Sequence, residues 1–543
     1  MNGDMPRRIQ ARRGFSISYK GKTLLSLIDP VDSSERVAAV LPVFKQTLYV
    51  CPSPLFGYGI QKLFDRITPD SAILCIESDP ELLSLSTEEL PEDIKANPRV
   101  RLIRATDGAS ACSYLRREFG PRRFRRVVLA KLNGGYALNE KTYTEVESAL
   151  RDDVALEWAN AMTLLKLGRR YALNAIRNLA ILPSSHPLCA GTFSNDPILV
   201  LGAGPSLDFV EPILSSRRHF RIICVDTALI PLLERGIVPD MVVVLEAQHW
   251  NLRDFIGSGK TNCPLALDLS SLPRGAFTTN GARFLFSVDW APLRLLDRLK
   301  TAGLRPPEIP PLGSVGLAAV AIALRAGTGA VVLAGLDFAY DIGAYHARSS
   351  PSRLDRLLRT DRLKSLIDPA PAFRDGTVKA NGKLNRPIRT DPALRGYRNL
   401  FQREFVKIDR LYDAGDRGLE LGIKTVTLIE AMKLLEGEHP RQQETNPETL
   451  PYVADSPKTI AFIDCELARL HTLRSILTGN TISDDLERLV DECDYLWSHF
   501  PECAGADGKR PLITDIAFLK RVRAEIDPFA KAFNIARSEL IRT

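Results

Sequence analysis

Between residues 196 and 430, short and wholly apolar runs alternate with helical patterns, and this constrains the chain more than any other feature. The runs are ILVLG (198–202), RIICV (221–225), MVVVLE (241–246), PLALD (264–268), RFLFSV (283–288), AVVLAG (330–335) and TVTLI (425–429). Helical patterns lie between several of them, notably LIPLLERG (229–236) and SVGLAAVAIALRAG (314–327). A strand with one wet face alternates apolar and polar residues, whereas a continuous apolar run must be covered on both faces. The pattern predicts a mostly parallel, doubly wound sheet, whose ligand would sit outside the carboxyl ends of its strands. The chain has 543 residues, 45% of them hydrophobic, enough for a core of this kind and for further domains.

The flanking regions predict an α/β fold with a central Rossmann-like sheet domain over 196–435. An N-terminal α/β domain over 1–145 precedes it, with strands at 47–51, 72–77, 100–105 and 125–132. Glu77 ends the second of these, where a Rossmann unit would hold a ribose. The loop after the first strand is CPSPLFGYG, with no glycine directly after the strand. A degenerate nucleotide fold used as a scaffold is the expectation for this domain. Residues 146–195 read as a helical connector and linker, 431–455 as a polar loop, and 456–543 as a helical C-terminal domain.

Composition narrows the function. Seventy-two basic and 65 acidic residues leave a formal charge of +7, mild for this length. Arginines cluster at 116–126 and recur at every third position from Arg353 to Arg362. Neither row is interleaved with the aromatics of an RNA module, so no nucleic-acid partner is expected. A solvated face is the plain reading of both, and an anionic ligand the functional one. Nine cysteines stand singly and no histidines show ligand spacing, so neither a disulfide framework nor a metal site is indicated. No apolar run is long enough to span a bilayer, and no apolar segment follows the basic N-terminus, so a cytoplasmic protein is expected.

Five stretches carry chemistry. The first strand of the central region runs into Gly202-Ala203-Gly204-Pro205-Ser206, a tight turn into a helix whose free N–H groups would make a phosphate-binding corner. Leu207 stands where the dinucleotide fingerprint has its third glycine, which disfavours an ordinary NAD enzyme. Asp226 and Thr227 end the next strand, where a side chain reaches a ribose or base; Asp226 reads equally well as the N-cap of the helix beginning near Ala228. Glu246 closes the third strand. Gly313 and Ser314 open a helix rich in small residues, so Ser314 can cap it and present an N–H to an anion, or the stretch can serve close packing through Gly316. The strand at 330–335 delivers Asp337 and Tyr340, and His346 follows on a polar loop as the best general-base candidate.

GAGPSLD, DTALIPLLERGIVPD, LGSVGLAAVAIALRAG and GLDFAY followed by His346 together resemble the domain of unknown function 115, or MptE-like, family. That family includes the motility accessory factor (Maf) flagellin glycosyltransferases, and the resemblance covers roughly 155–430. It implies a GT-A-like central domain that transfers a nonulosonic sugar of pseudaminic or legionaminic type from its CMP-activated form to Ser or Thr of flagellin. It implies CMP contacts at Gly202, Gly204, Pro205, Ser206, Asp226, Thr227, Glu246, Gly313 and Ser314. His346 would be the base, with Tyr340 and Asp337 beside it, and Arg348 or the Arg353–Arg362 row would hold the donor carboxylate. No cofactor is required, and a divalent ion is optional.

A second branch of the family resembles archaeal hydroxymethylpterin diphosphokinases, which transfer diphosphate from ATP. These would be expected to offer an Asp-rich Mg²⁺ site, whereas VVVLEAQHWN supplies Glu246 with no acidic partner nearby. A third class is a non-catalytic accessory protein that binds flagellin through the helical tail. Leu336-Asp337, and Leu312 ahead of Gly313, depart from the residues usual in the family.

Overall fold

The computed structural model describes residues 5–120, 122–188, 191–216, 220–341, 344–365, 370–436, 455–479, 485–504 and 510–542. Two compact units emerge, one of Met1–Leu165 with Phe500–Arg510 and one of Lys166–His499 with Pro511–Thr543. The helical stretch read as a connector is α1 (Glu140–Asn178), and the division falls within it.

The first unit opens with an antiparallel sheet of β1 (Arg7–Gln10), β2 (Phe15–Tyr19) and β3 (Lys22–Thr23). A parallel sheet follows, of β4 (Thr47–Pro52), β5 (Ala72–Glu77), β6 (Val100–Arg104) and β7 (Arg126–Leu129), in the order β6-β5-β4-β7. Strands β4 and β5 are buried at every position, in keeping with their unbroken apolar runs. The 116–126 arginines spend themselves locally. Arg116 pairs with Asp153, while Arg123, Arg125 and Arg126 lie over Phe119, Trp158 and Phe44.

The second unit holds a ten-stranded sheet in the order β14-β13-β12-β11-β10-β9-β15-β18-β19, with β8 (His186–Pro187) beside β13. Its members are β9 (Ile198–Leu201), β10 (Arg221–Val225), β11 (Met241–Val244), β12 (Leu265–Asp268), β13 (Arg283–Val288), β14 (Glu308–Ile309), β15 (Val331–Ala334), β18 (Leu411–Asp413) and β19 (Lys424–Thr425). All its pairings are parallel. The chain winds outward from β9 to β14, then crosses back by α3 (Val315–Ala326) to lay β15 on the other side of β9. Between β15 and β18 a hairpin of β16 (Val378–Asn381) and β17 (Pro387–Thr390) is inserted.

One expectation changes. The run at 425–429 is a strand only through Thr425; from Leu428 the chain is helical to Glu436. Thr427 starts that helix by a reciprocal cap, its hydroxyl accepting from the Glu430 N–H while the Glu430 carboxylate accepts from the Thr427 N–H. The helical tail comprises α5 (Ser456–Thr478), α6 (Asp485–Glu492) and α7 (Ile516–Arg542), all within the second unit. Arg298 anchors it through the buried Glu466 at 2.6 Å. The polar loop expected at 431–455 lies mostly outside the described residues, as does Cys189.

Candidate active site

The strand order reverses between β9 and β15, and the carboxyl ends of these two strands are where an open sheet of this kind takes its ligand. Gly202 and Gly335 lie just past the two strands. A Cβ on either would stand 2.2 Å from the other's carbonyl oxygen, and Gly335 has φ +76°, so both positions require glycine.

The turn 202–206 is pinned from below. The buried Ser206 donates its N–H to Asp337 Oδ2 at 2.9 Å and its hydroxyl to Asp337 Oδ1 at 2.5 Å, and the same hydroxyl accepts from the Gly335 N–H at 2.8 Å. The N–H groups of Gly202 and Gly204 go to the carbonyls of Ala334 and Gly335. The N–H groups of Gly202, Gly204 and Ser206 are thus spent on holding the turn's own shape and are not among the free donors expected there. Burial lifts Asp337 to about 6, while its bonds to Ser206 and the charge of Lys383 act the other way. Lys383, itself buried, reaches Asp413 Oδ2 at 2.6 Å. Nothing in the sequence around this lysine, between the two strands of the hairpin, pointed to it.

His346 is brought over the turn. Ala347 donates its N–H to the Ala203 carbonyl at 2.9 Å, and the His346 ring bonds to that same carbonyl. The ring is open to solvent yet has protein on most sides. That surrounding mass, seconded by the nearby Arg253 charge, lowers its pKa; the bond to Ala203 acts in the opposite sense. A neutral imidazole with one nitrogen turned to a carbonyl keeps the other as a proton acceptor.

The other expected residues fall in four places. Tyr340 donates to Asp391 at 2.8 Å and accepts from Arg374 at 2.8 Å, and its phenol is pushed up to about 12, chiefly by burial. Ser314 stands at the N-cap of α3 without making a capping bond, leaving the first N–H groups of a twelve-residue helix without that partner. Gly316 also packs tightly on Leu336, so the close-packing role holds as well, and the exposed Gly313 precedes both. Arg348 is 78% exposed beside Asp208, with its side chain 3.9 Å away.

Asp226 and Thr227 are the first residues of α2 (Asp226–Leu233), whose N-cap is Val225, so Asp226 is not the cap. Asp226 is buried, accepts from Asn251 Nδ2 at 2.7 Å, and is lifted to about 7 by burial and then by Asp254. Asp254 bonds to Thr227 and also feels Glu246, which accepts from the Gln248 N–H at 2.9 Å. Glu246 thus has acidic neighbours after all. Asn251, Arg253 and Asp254 lie in HWNLRD, directly past Glu246, where the polar run after a buried strand was the available signal. Among the described residues no three or more His, Cys, Asp or Glu side chains are arranged to hold a metal ion.

Beside His346 lies a cavity of about 500 Å³, walled by Tyr345, Ser352, Arg353, Arg356, Arg359 and Lys364. The arginines come from α4 (Pro351–Leu358) and the residue that ends it, spaced three apart on one face. The row noted in the sequence is in part a cavity wall.

Residues 172–343 match the family described as 6-hydroxymethylpterin diphosphokinase MptE-like. An uncharacterized protein of Treponema pallidum (strain Nichols) is 31% identical over 562 aligned residues, covering 98% of this chain and 96% of that one. The chain belongs to the MptE-like family through this domain and shares the family of the Treponema protein over its whole length. A solved structure described as a MAf glycosyltransferase from Magnetospirillum magneticum AMB-1 is similar over 99% of this chain and 90% of that one. At 15% identity and a TM-score of 0.48, that likeness carries no argument about function.

Proposed function

We propose that the protein is a cytoplasmic glycosyltransferase that moves a nonulosonic sugar from its CMP-activated donor to Ser or Thr of flagellin. The carrying observation is that the loops after β9 and β15 meet at the reversal of strand order, with a neutral His346 held against Ala203. The family's motifs in this sequence supply the donor and acceptor.

In this reading the turn at Gly202, Gly204 and Pro205 forms a rigid floor for the nucleotide, and Ser206 and Asp337 act by fixing that floor. Gly313, Ser314 and the uncapped start of α3 face the phosphate with N–H donors and the positive end of the helix dipole. Thr227 and Glu246, with the buried Asp226 behind them, line the path of the ribose. His346 takes the acceptor hydroxyl's proton as the sugar–phosphate bond breaks, and CMP leaves with its charge met by helix and hydroxyl donors. Tyr340 is held in place by Asp391 and Arg374. No residue in this scheme needs a cofactor, and a divalent ion is optional.

Calorimetric titration with CMP and with ATP, each with and without Mg²⁺, tests it, followed by intact-mass analysis of co-expressed flagellin. CMP binding without metal and a mass gain on flagellin support the transferase. ATP binding that requires Mg²⁺ would move the assignment to a diphosphokinase. That second reading draws its support from Asp226, Glu246 and Asp254 gathering at the ends of β10 and β11. An accessory protein would bind flagellin and neither nucleotide.

A further inference from the structure

We infer that the cavity beside His346 is a seat for a sugar acid, with Arg353 receiving its carboxylate. The inference rests on the transferase reading and narrows the expected set, Arg348 or the Arg353–Arg362 row, to Arg353, so that Arg348 and Arg362, neither on the cavity wall, take no part in holding the acid group.

Several observations carry it. Arg353 is half-buried, lines the cavity, and its guanidinium has no hydrogen-bond or ion-pair partner among the described residues. Its neighbours are committed: Arg359 pairs with Asp355, and Arg356 donates to the Ser365 carbonyl at 3.0 Å. Among the described residues the wall carries four cationic side chains and one carboxylate, Asp355, which leaves it positive. A guanidinium offers a planar fork that matches a carboxylate in two parallel bonds. At about 500 Å³ the cavity is far larger than a bare phosphate needs and suits a ligand of monosaccharide size or somewhat more. Ser352 and Tyr345 add hydroxyl groups to the wall, as a polyol requires. His346 lies on the same wall, so a sugar seated there has its reacting carbon near the base. Arg348 is mostly exposed, is not part of the wall and already faces Asp208.

The test uses the full chain and two separate ligands. N-acetylneuraminate alone is followed by saturation-transfer NMR, and CMP alone by calorimetry, for the wild type and for Arg353→Gln, Arg353→Lys and Arg362→Gln. The expected result is sugar-acid binding that weakens at least about tenfold in Arg353→Gln, less in Arg353→Lys, and not at all in Arg362→Gln, which is not on the cavity wall. CMP binding should be the same in all four, which also shows that the variants are folded. If the wild type fails to bind the sugar acid, or Arg353→Gln binds it equally well, the inference is overturned. If the sugar acid binds through Arg353 but CMP does not bind, the cavity assignment stands and the CMP-donor reading falls.

Discussion

Both units of this protein contain a parallel sheet whose strand order reverses, and the two reversal points have been put to different ends. In the first unit the crevice lies past β4 and β7. There the loop after β4 is packed under the N-terminal strands, with Leu55 and Phe56 buried among Ile17, Leu24 and Leu25. Asn133 donates to the Ser53 carbonyl at 2.9 Å, drawing the two loops together. Glu77, placed where a ribose would be held, accepts from Tyr143 at 2.6 Å and from the N–H groups of Ser78 and Asp79. In the second unit the turn is equally self-bound, yet His346, the start of α3 and the arginine wall stay open. The comparison shows that a fold supplies a place for a ligand, and that the loops decide whether the place is filled by the chain itself.

That contrast can be broken in graded ways. The largest effect expected is on His346→Ala, which should slow sugar transfer by about 10²- to 10⁴-fold while leaving CMP affinity nearly unchanged. Transfer at the wild-type rate would remove His346 as the base. Next, Lys383→Met should destabilise the second unit by about 3–5 kcal/mol, since it leaves buried Asp413 without its counter-charge. Hydrogen exchange should then speed up across 198–206 and 411–419 and stay unchanged across 47–77. Glu77→Gln in the first unit should cost about 1–3 kcal/mol through lost hydrogen bonds, with CMP binding intact. A loss of CMP binding there would mean that the first crevice is not merely structural.

A pH titration sharpens the same contrast. Burial raises Asp226 to about 7 and Asp268 and Asp337 to about 6. A carboxyl with a raised folded pKa binds more protons folded than unfolded, so it favours the folded state as pH falls towards its unfolded value. The unfolding midpoint of the second unit should therefore rise between pH 7.5 and 5.5, and Asp226→Asn should reduce the rise. The smallest effect is expected from Arg348→Gln, below about twofold in donor affinity, because an exposed charge beside Asp208 contributes little.

Much of this was legible in the chain. The six buried strands from 198 to 335 announced themselves because both faces of each are covered. Strand β18 is three residues long and β19 is two, too short to show a period. TVTLI misled because its β-branched residues suggest a strand, although Thr427 and Glu430 already spelled a helix cap. At the site, the loops that meet were visible as motifs following strands. What could not be read was the spending of donors: Ser206 on Asp337 is a contact across 131 residues, and Lys383 has no local signature at all.

The single carbonyl of Ala203 has a further consequence. It receives both the Ala347 N–H and the His346 ring, so the 202–206 turn and the loop that carries His346 are fastened at one atom. The two loops are therefore not interchangeable modules. A transplant aimed at a different donor would have to carry residues 202–206 and 335–347 together, since either loop alone would arrive without the anchor that sets its register against the other.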